Sequence, residues 1–411
     1  MASPQPLDAV SRRKRLGAWY TPEWLVDHIV ALTFDGFDTA MPLTVLDPAC
    51  GDGRFLVAVR RALGDSVRLV GVDIDDGAIA AARVAVPDAE IFHADALSFD
   101  WAGIAPDVIV GNPPFLGQMA SATSRGGRSR FGGGPYADVA AEFLAMSVSL
   151  VRPGGRVGLV LPQPILTTRD AGPIRDAVRE RAAMVHAWWS TRRFFDAHVH
   201  ACALVFEVGA KQGLVARTTE QRVEPRAPVE LGRSWGVVLL DEPADAPTSK
   251  GPCLGDIASV HIDFRDQYYG LVGAVGDDAV GPPLITSGLI EPGACLWGER
   301  PVRFAKQRFE SPRVDVSALA PTMQRWAARR LVPKVLVANQ TKTIEAVIDE
   351  RGEWLPSVPV LTCVGDDLER IHAVLASPAA SAWTRLHAAG SGLSASSIRL
   401  TPSLLASIPL S

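Results

Sequence analysis

Paired cysteines are missing from this chain. Its five, at positions 50, 202, 253, 295 and 363, are scattered through 411 residues with no Cys-x-x-Cys among them. That excludes a disulfide scaffold and a Cys-held structural metal, so no metal is expected and a reducing, cytoplasmic setting is. Long apolar runs are missing too. No window approaches the ~18 uninterrupted apolar residues of a membrane helix, so no membrane partner is expected. The first residues lack the basic start and apolar core of a secretory signal. Low complexity is absent, since 36 Gly and 31 Pro fall well short of the roughly 25–30% that marks it. With 47% hydrophobic and 21% charged residues, the composition is that of an ordinary folded protein of two or three domains.

A strong excess of either charge is also lacking. The formal net charge is −4, which by itself argues against a nucleic-acid binder. The distribution is uneven, however. Between Arg300 and Lys342 ten basic residues meet only two acids, Glu310 and Asp315, a net +8. Phosphate contacts depend on local basic density rather than total charge. A solvated basic face would produce the same pattern.

The first half alternates strand-like apolar runs with helical patterns. Short buried strands are expected at Leu43–Asp47, Arg68–Asp73, Ala89–His93, Asp107–Val110, Arg156–Leu161, Met184–Trp189 and Ala201–Val208. Helices are expected at Arg54–Leu63, Asp76–Val84, Ala137–Val151 and Gly172–Ala183. Alternation of this kind implies an α/β fold with a doubly wound parallel sheet. Thr21-Pro22-Glu23 offers a helix start. The stretch 211–250 loses periodicity and is read as a linker and the start of a second domain. Beyond it lie short strands and turns. Residues 117–134 form a Gly-, Ser- and Arg-rich loop.

Four motifs carry chemistry. Asp47-Pro48-Ala49-Cys50-Gly51-Asp52-Gly53 ends strand one and opens a helix. Gly-rich backbone there lets a ligand approach closely, at the carboxyl edge where such sheets bind ligands. It is neither the Gly-x-Gly-x-x-Gly dinucleotide fingerprint nor a Gly-Lys-Ser/Thr triphosphate loop. Asp73 ends strand two, suited to ribose hydroxyls, and Asp95 ends strand three, suited to an adenine amino group. Either acid alone reads more readily as a helix cap, and it is the two in register behind a Gly-rich turn that favour an adenosine-bearing ligand. The fourth, Asn112-Pro113-Pro114-Phe115, follows strand four. Its two prolines stiffen an extended backbone. The Asn112 side-chain carbonyl and the Pro113 carbonyl can then accept from one exocyclic amino group, with an aromatic ring beside them.

In these motifs and their order the chain resembles the N6-adenine DNA methyltransferases of restriction–modification systems, and specifically their gamma group, typified by the TaqI-like enzymes. The resemblance covers residues 16–208 well and the remainder more loosely. It implies S-adenosylmethionine as cofactor and a Rossmann-like class I methyltransferase domain at 1–210. It also implies a mixed α+β target (DNA) recognition domain at 251–411. Tyr20, Thr21 and Pro22 match the family's N-terminal cofactor motif. Asp47, Ala49, Gly51 and Gly53 match the loop around the methionine moiety, Asp73 the ribose acid, and Asp95 and Phe143 the surroundings of the cofactor adenine. Asn112, Pro113, Pro114 and Phe115 match the catalytic motif, Asn112 also bordering the cofactor. Phe195, with Phe194 as rival, matches the ring that stacks with Phe115 on a flipped target base. Phe115 departs from the commoner Tyr, though stacking needs only the ring.

The family chemistry is direct transfer to an adenine amino nitrogen in double-stranded DNA, without a covalent enzyme intermediate. Arg125, Arg128 and Arg130 in the Gly-rich loop and Arg325, Arg329, Arg330 and Lys334 in the basic stretch are the candidate phosphate contacts. Val332–Val337 and Ser397–Pro402 are the family-like segments of the C-terminal half. A monomer is expected, with a separate cognate restriction endonuclease allowed but not required. Cytosine N4, RNA adenine or protein glutamine remain alternative acceptors, and a non-catalytic DNA-binding subunit an alternative role. Cytosine C5 chemistry is excluded, because the only Pro-Cys pair, Pro252-Cys253, lies outside the catalytic half.

Overall fold

Successive strand residues point to opposite faces, and in the first strands both faces are apolar. Val45, Leu69, Val108 and Val110 enter one core, while Leu46, Val70, Val72 and Ile109 enter another. A sheet buried on both sides needs helices on both sides. The computed structural model describes residues 21–115, 129–134, 137–190, 200–219, 224–231, 234–240, 251–389, 391–392 and 397–410. Contacts divide the chain into two units, Met1–Pro243 and Ala244–Ser411.

The first unit is built on nine strands: β1 (Thr44–Asp47), β2 (Arg68–Asp73), β3 (Glu90–His93), β4 (Val108–Gly111), β5 (Arg156–Pro162), β6 (Ala182–Trp189), β7 (Ala201–Val208), β8 (Leu214–Thr219) and β9 (Glu224–Glu230). Their order is β3-β2-β1-β4-β5-β7-β6-β8-β9. Strands β3, β2, β1, β4 and β5 are mutually parallel. The expectation of a parallel sheet needs amending at two strands, because β7 inserts antiparallel between β5 and β6 and the edge strand β9 is antiparallel too. Helices α1 (Glu23–Phe34), α2 (Arg54–Leu63) and α3 (Asp76–Ala85) contribute to one core, and α4 (Val139–Leu150) and α5 (Gly172–Arg181) to the other.

The segment 211–250 is not a linker throughout. Strand β8 pairs in parallel with β6, and β9 runs antiparallel to β8. Arg217 hid this strand in the sequence, since a charged residue breaks an apolar pattern. It is buried, and its guanidinium donates to the carbonyls of Ala227 at 2.5 Å and Val238 at 3.3 Å. Trp235, fully buried, packs on Phe206 with ring centroids 5.5 Å apart.

The second unit holds a four-stranded antiparallel sheet of Ser259–Ile262, Leu361–Val364, Lys334–Val337 and Ala346–Asp349. Helices Leu368–Ala376 and Pro378–Ala388 contribute to the core on one face. This is the mixed α+β character expected. Lys334, however, cannot meet phosphate. Its ammonium is buried and donates to Asp349 Oδ2 at 2.5 Å and to the Val332 carbonyl at 3.1 Å. Burial lowers its pKa, opposed by Asp349. Asp349 also accepts from the backbone amides of Glu353 and Trp354. Removing one member of such a pair strands the other charge in the interior. Lys334→Ala should therefore cost about 3–5 kcal/mol in urea unfolding, and a loss below about 1 kcal/mol would contradict the structural role.

Candidate active site

Because β3, β2, β1 and β4 are adjacent and parallel, their carboxyl ends share one edge of the sheet. That is where Asp95, Asp73, Asp47 and Asn112 emerge. Asp47 is 1% exposed, and its Oδ1 accepts from the amide of Ala49 at 3.1 Å. A Cβ on Gly111 would stand 2.5 Å from that same oxygen, so only glycine lets β4 pass. Burial holds the Asp47 carboxyl well above the ordinary range, Asp73 and Asp52 add to this, and the Ala49 bond opposes it.

The Gly-rich loop is fastened to the neighbouring strand. Cys50 donates its amide to Val72 at 2.9 Å and Gly51 its amide to Asp73 Oδ2 at 2.8 Å. Gly51 and Gly53 have φ of +55° and +87°, conformations that L side chains rarely adopt. A Cβ on Gly51 would meet nothing within 4 Å, so this turn of backbone is open to a ligand. The other oxygen of Asp73 accepts from the Asp75 amide at 2.9 Å, and burial raises the Asp73 pKa against these bonds. Asp75, two residues on, is the helix cap, accepting from Gly77 and Ala78 at the start of α3. Asp95 accepts from the amide of Leu97 at 3.1 Å, and Ala94 donates to the Asp73 carbonyl at 2.9 Å. Phe143 is buried in the core that contains Ala96 and Leu97, with Ala94 and Phe115 packed against it. Phe115 is half-buried and touches the cores on both sides of the sheet. Pro113 is buried, while Asn112 and Pro114 are intermediate.

Two contributors were not legible in the sequence. Arg54 Nη1 donates to the Thr21 carbonyl at 3.2 Å while its Nε pairs with Asp52 at 2.9 Å. This ties buried Thr21 to the helix that opens after Gly53. Pro22 stands at the N-cap position of α1, and Glu23 opens its first turn. Gln163, 2% exposed, donates from Nε2 to the carbonyls of Ser190 and Ala201, bridging the end of β6 and the start of β7. Neither link has a sequence signature, since the carbonyls of Thr21, Ser190 and Ala201 are backbone atoms far away along the chain.

Tyr20, Arg125, Arg128, Phe194 and Phe195 lie outside the described residues. Arg130 is exposed, but one guanidinium nitrogen is engaged with the Leu97 carbonyl and its amide donates to Glu142 Oε2 at 3.0 Å. It fastens the loop beside Asp95 rather than standing free for phosphate. Arg330 is likewise spent, in a two-pronged pair with Asp263 at 2.6 to 3.2 Å. Arg325 and Arg329 are exposed on the helix Pro321–Arg330, as a phosphate contact requires.

An edge lined by Asp47, Asp52, Asp73, Asp75 and Asp95, with Arg54 already paired, repels phosphate. It suits a ligand that brings positive charge and donates from hydroxyl and amino groups. The amino, hydroxyl and sulfonium groups of S-adenosylmethionine fit that set. Among the described residues no group of three or more His, Cys, Asp or Glu could hold a metal. No described helix is long and apolar enough to cross a membrane.

The family model described as N-6 DNA Methylase matches residues 8–222. The chain is 31% identical over 293 residues to the Type II methyltransferase M.TthHB8I of Thermus thermophilus, covering 66% of this chain and 64% of that protein. It is 27% identical over 199 residues to the Type II methyltransferase M.BanIII of Aneurinibacillus aneurinilyticus, 41% of this chain and 34% of that one. The chain thus spans less than two thirds of the length of these relatives. In fold it is similar to the Type IIL restriction-modification enzyme MmeI, solved in complex with DNA. That likeness has a TM-score of 0.60 at 16% identity, across 97% of this chain and 69% of that one.

The contact between Gly111 and Asp47 gives a direct check. Gly111→Ala forces β4 away from the buried carboxylate and should lower stability by about 1–3 kcal/mol, as overpacked cores do. Thermal unfolding reads this, and an unchanged midpoint would contradict the close approach.

Proposed function

The chain belongs to the N-6 DNA Methylase family, and we propose that it methylates adenine N6 in double-stranded DNA as a gamma-group, TaqI-like modification enzyme. The observation that carries this reading is the convergence of Asp47, Asp73, Asp95 and Asn112-Pro113-Pro114-Phe115 on one edge of the sheet. S-adenosylmethionine supplies an electrophilic methyl group on a positively charged sulfur. In this reading Tyr20, Thr21, Pro22, Asp47, Ala49, Gly51 and Gly53 surround its methionine part. Asp73 accepts from the ribose hydroxyls with the lone pairs left by Gly51 and Asp75, and Asp95 accepts from the adenine amino group beside Phe143.

The work of Asn112 and Pro113 is at the acceptor. An adenine amino group is a poor nucleophile because its lone pair is delocalised into the ring. When the Asn112 side-chain carbonyl and the Pro113 backbone carbonyl each accept one of its hydrogens, the nitrogen is drawn towards a pyramidal geometry with its lone pair free. Pro113 and Pro114 hold those acceptors in place ahead of the reaction, and positioning of this kind is a large part of the barrier reduction. Phe115, with Phe195, stacks on a base turned out of the duplex. The second unit serves as the target-recognition domain, with Arg325 and Arg329 on phosphates. The protein acts as a monomer in the cytoplasm, with any cognate endonuclease a separate chain.

This division of labour separates two variants. Asn112→Ala should abolish methyl transfer to DNA yet leave S-adenosylmethionine affinity, measured by calorimetry, within a few-fold. Asp73→Ala should chiefly weaken that affinity, by about tenfold or more for the loss of hydrogen bonds to a charged acceptor. Turnover persisting in Asn112→Ala would refute the catalytic assignment, and unchanged affinity in Asp73→Ala would refute the ribose assignment.

A further inference from the structure

Within the second unit, Val302–Phe304 and Gln307–Phe309 form a two-stranded antiparallel hairpin in which Arg303 stands directly opposite Arg308. Val302, Phe304 and Phe309 are buried, and Arg303 and Arg308 share the exposed side. Like charges directly across a strand pair are destabilising, so this pair is held against its own repulsion. Between the strands, Ala305 and Lys306 have φ of +47° and +68°. Tight hairpin turns of that conformation are ordinarily made by Asn and Gly, and non-glycine residues held there are strained. The turn is fixed from beneath. Tyr268 Oη accepts from the Ala305 amide at 3.0 Å, and its ring packs on Phe304 with centroids 4.7 Å apart. Exposed Lys306 therefore sits on a rigid tip.

The hairpin carries little neutralising charge. Arg308 reaches Glu310 at 3.2 Å, but both side chains are about two-thirds exposed, where such pairs are weak and easily exchanged. Among the described residues neither Arg303 nor Lys306 has an ion-pair partner. Elsewhere in the basic stretch Arg330 is paired with Asp263 and Lys334 with Asp349, Arg300 meets Glu291 in a half-exposed pair, and Arg325, Arg329 and Lys342 are exposed. A cavity of about 420 Å³, lined in part by Tyr268, Arg300 and Arg303, adjoins the same hairpin.

We propose that the hairpin Val302–Phe309 is a finger that grips the phosphate backbone of double-stranded DNA through Arg303, Lys306 and Arg308. This rests on the DNA-methyltransferase reading above. Two arginines held opposite each other across the strand pair gain from an anion between them, and a two-stranded ribbon is narrow enough to enter the major groove between the phosphate rows.

The test uses the full chain and sheared plasmid DNA, with dissociation constants measured from 50 to 200 mM salt. Arg303→Ala/Arg308→Ala should flatten the dependence of log Kd on log salt by about two units, one for each lost phosphate contact. Its melting temperature should stay equal or rise, since a repulsive pair is removed. Lys306→Gly should weaken DNA binding while raising the melting temperature, because glycine relieves the turn; a merely structural lysine would not show both. An unchanged slope in a protein that binds and methylates DNA overturns the finger and leaves the catalytic reading standing. An unchanged slope with an altered choice of methylated sequence also overturns it, assigning the arginines to base edges instead. A wild-type chain that neither binds nor methylates DNA overturns both.

Discussion

The buried carboxylate of Asp47 joins the two halves of the candidate site. On one side it orders the Gly-rich loop through the Ala49 amide, and on the other it closes on Gly111, the residue before Asn112. The Gly-rich loop and the Asn-Pro-Pro-Phe motif are thus set against each other by one side chain that is almost wholly buried. The cost is a desolvated acid, its pKa pushed upward, and such costs are characteristic of sites where chemistry is arranged. Asp73 repeats the device one strand away, holding the same loop through Gly51. Rigidity here comes from short bonds between neighbouring strand ends, so the site inherits its precision from the parallel sheet.

Charge is used differently in the two units. The edge of the first sheet gathers acids, and Arg54 beside them is bound to Asp52. The second unit concentrates basic residues, then pairs several of them internally. What stays exposed is a smaller set on the helix Pro321–Arg330 and on the hairpin Val302–Phe309, with Lys342. A count of charges along a sequence therefore overstates the surface available to a polyanion, and pairing decides which residues are left.

Much of the first unit was legible because its signals are local. Strand β2 and helix α2 fall where apolar runs and turn residues put them, and β1, β4 and β5 differ only at their ends. The strand-end placing of Asp73, Asp95 and Asn112 was legible because each lies at or just beyond the end of a strand that can be recognised by itself. The misreadings share a cause. Arg217 and Lys334 are charged residues buried with partners distant in sequence, and single-residue character sends both to the surface. Arg217 thereby disguised β8 as linker. The inserted β7 and the Gln163 bridge depend on which strands become neighbours, which no window of sequence records.

The central claim concerns the acceptor atom, and one measurement addresses it. Plasmid DNA is incubated with the protein and tritiated S-adenosylmethionine, digested to nucleosides and separated by chromatography. Label in N6-methyldeoxyadenosine is the predicted result. Label in N4-methyldeoxycytidine, or none in DNA while S-adenosylmethionine is bound, would contradict it.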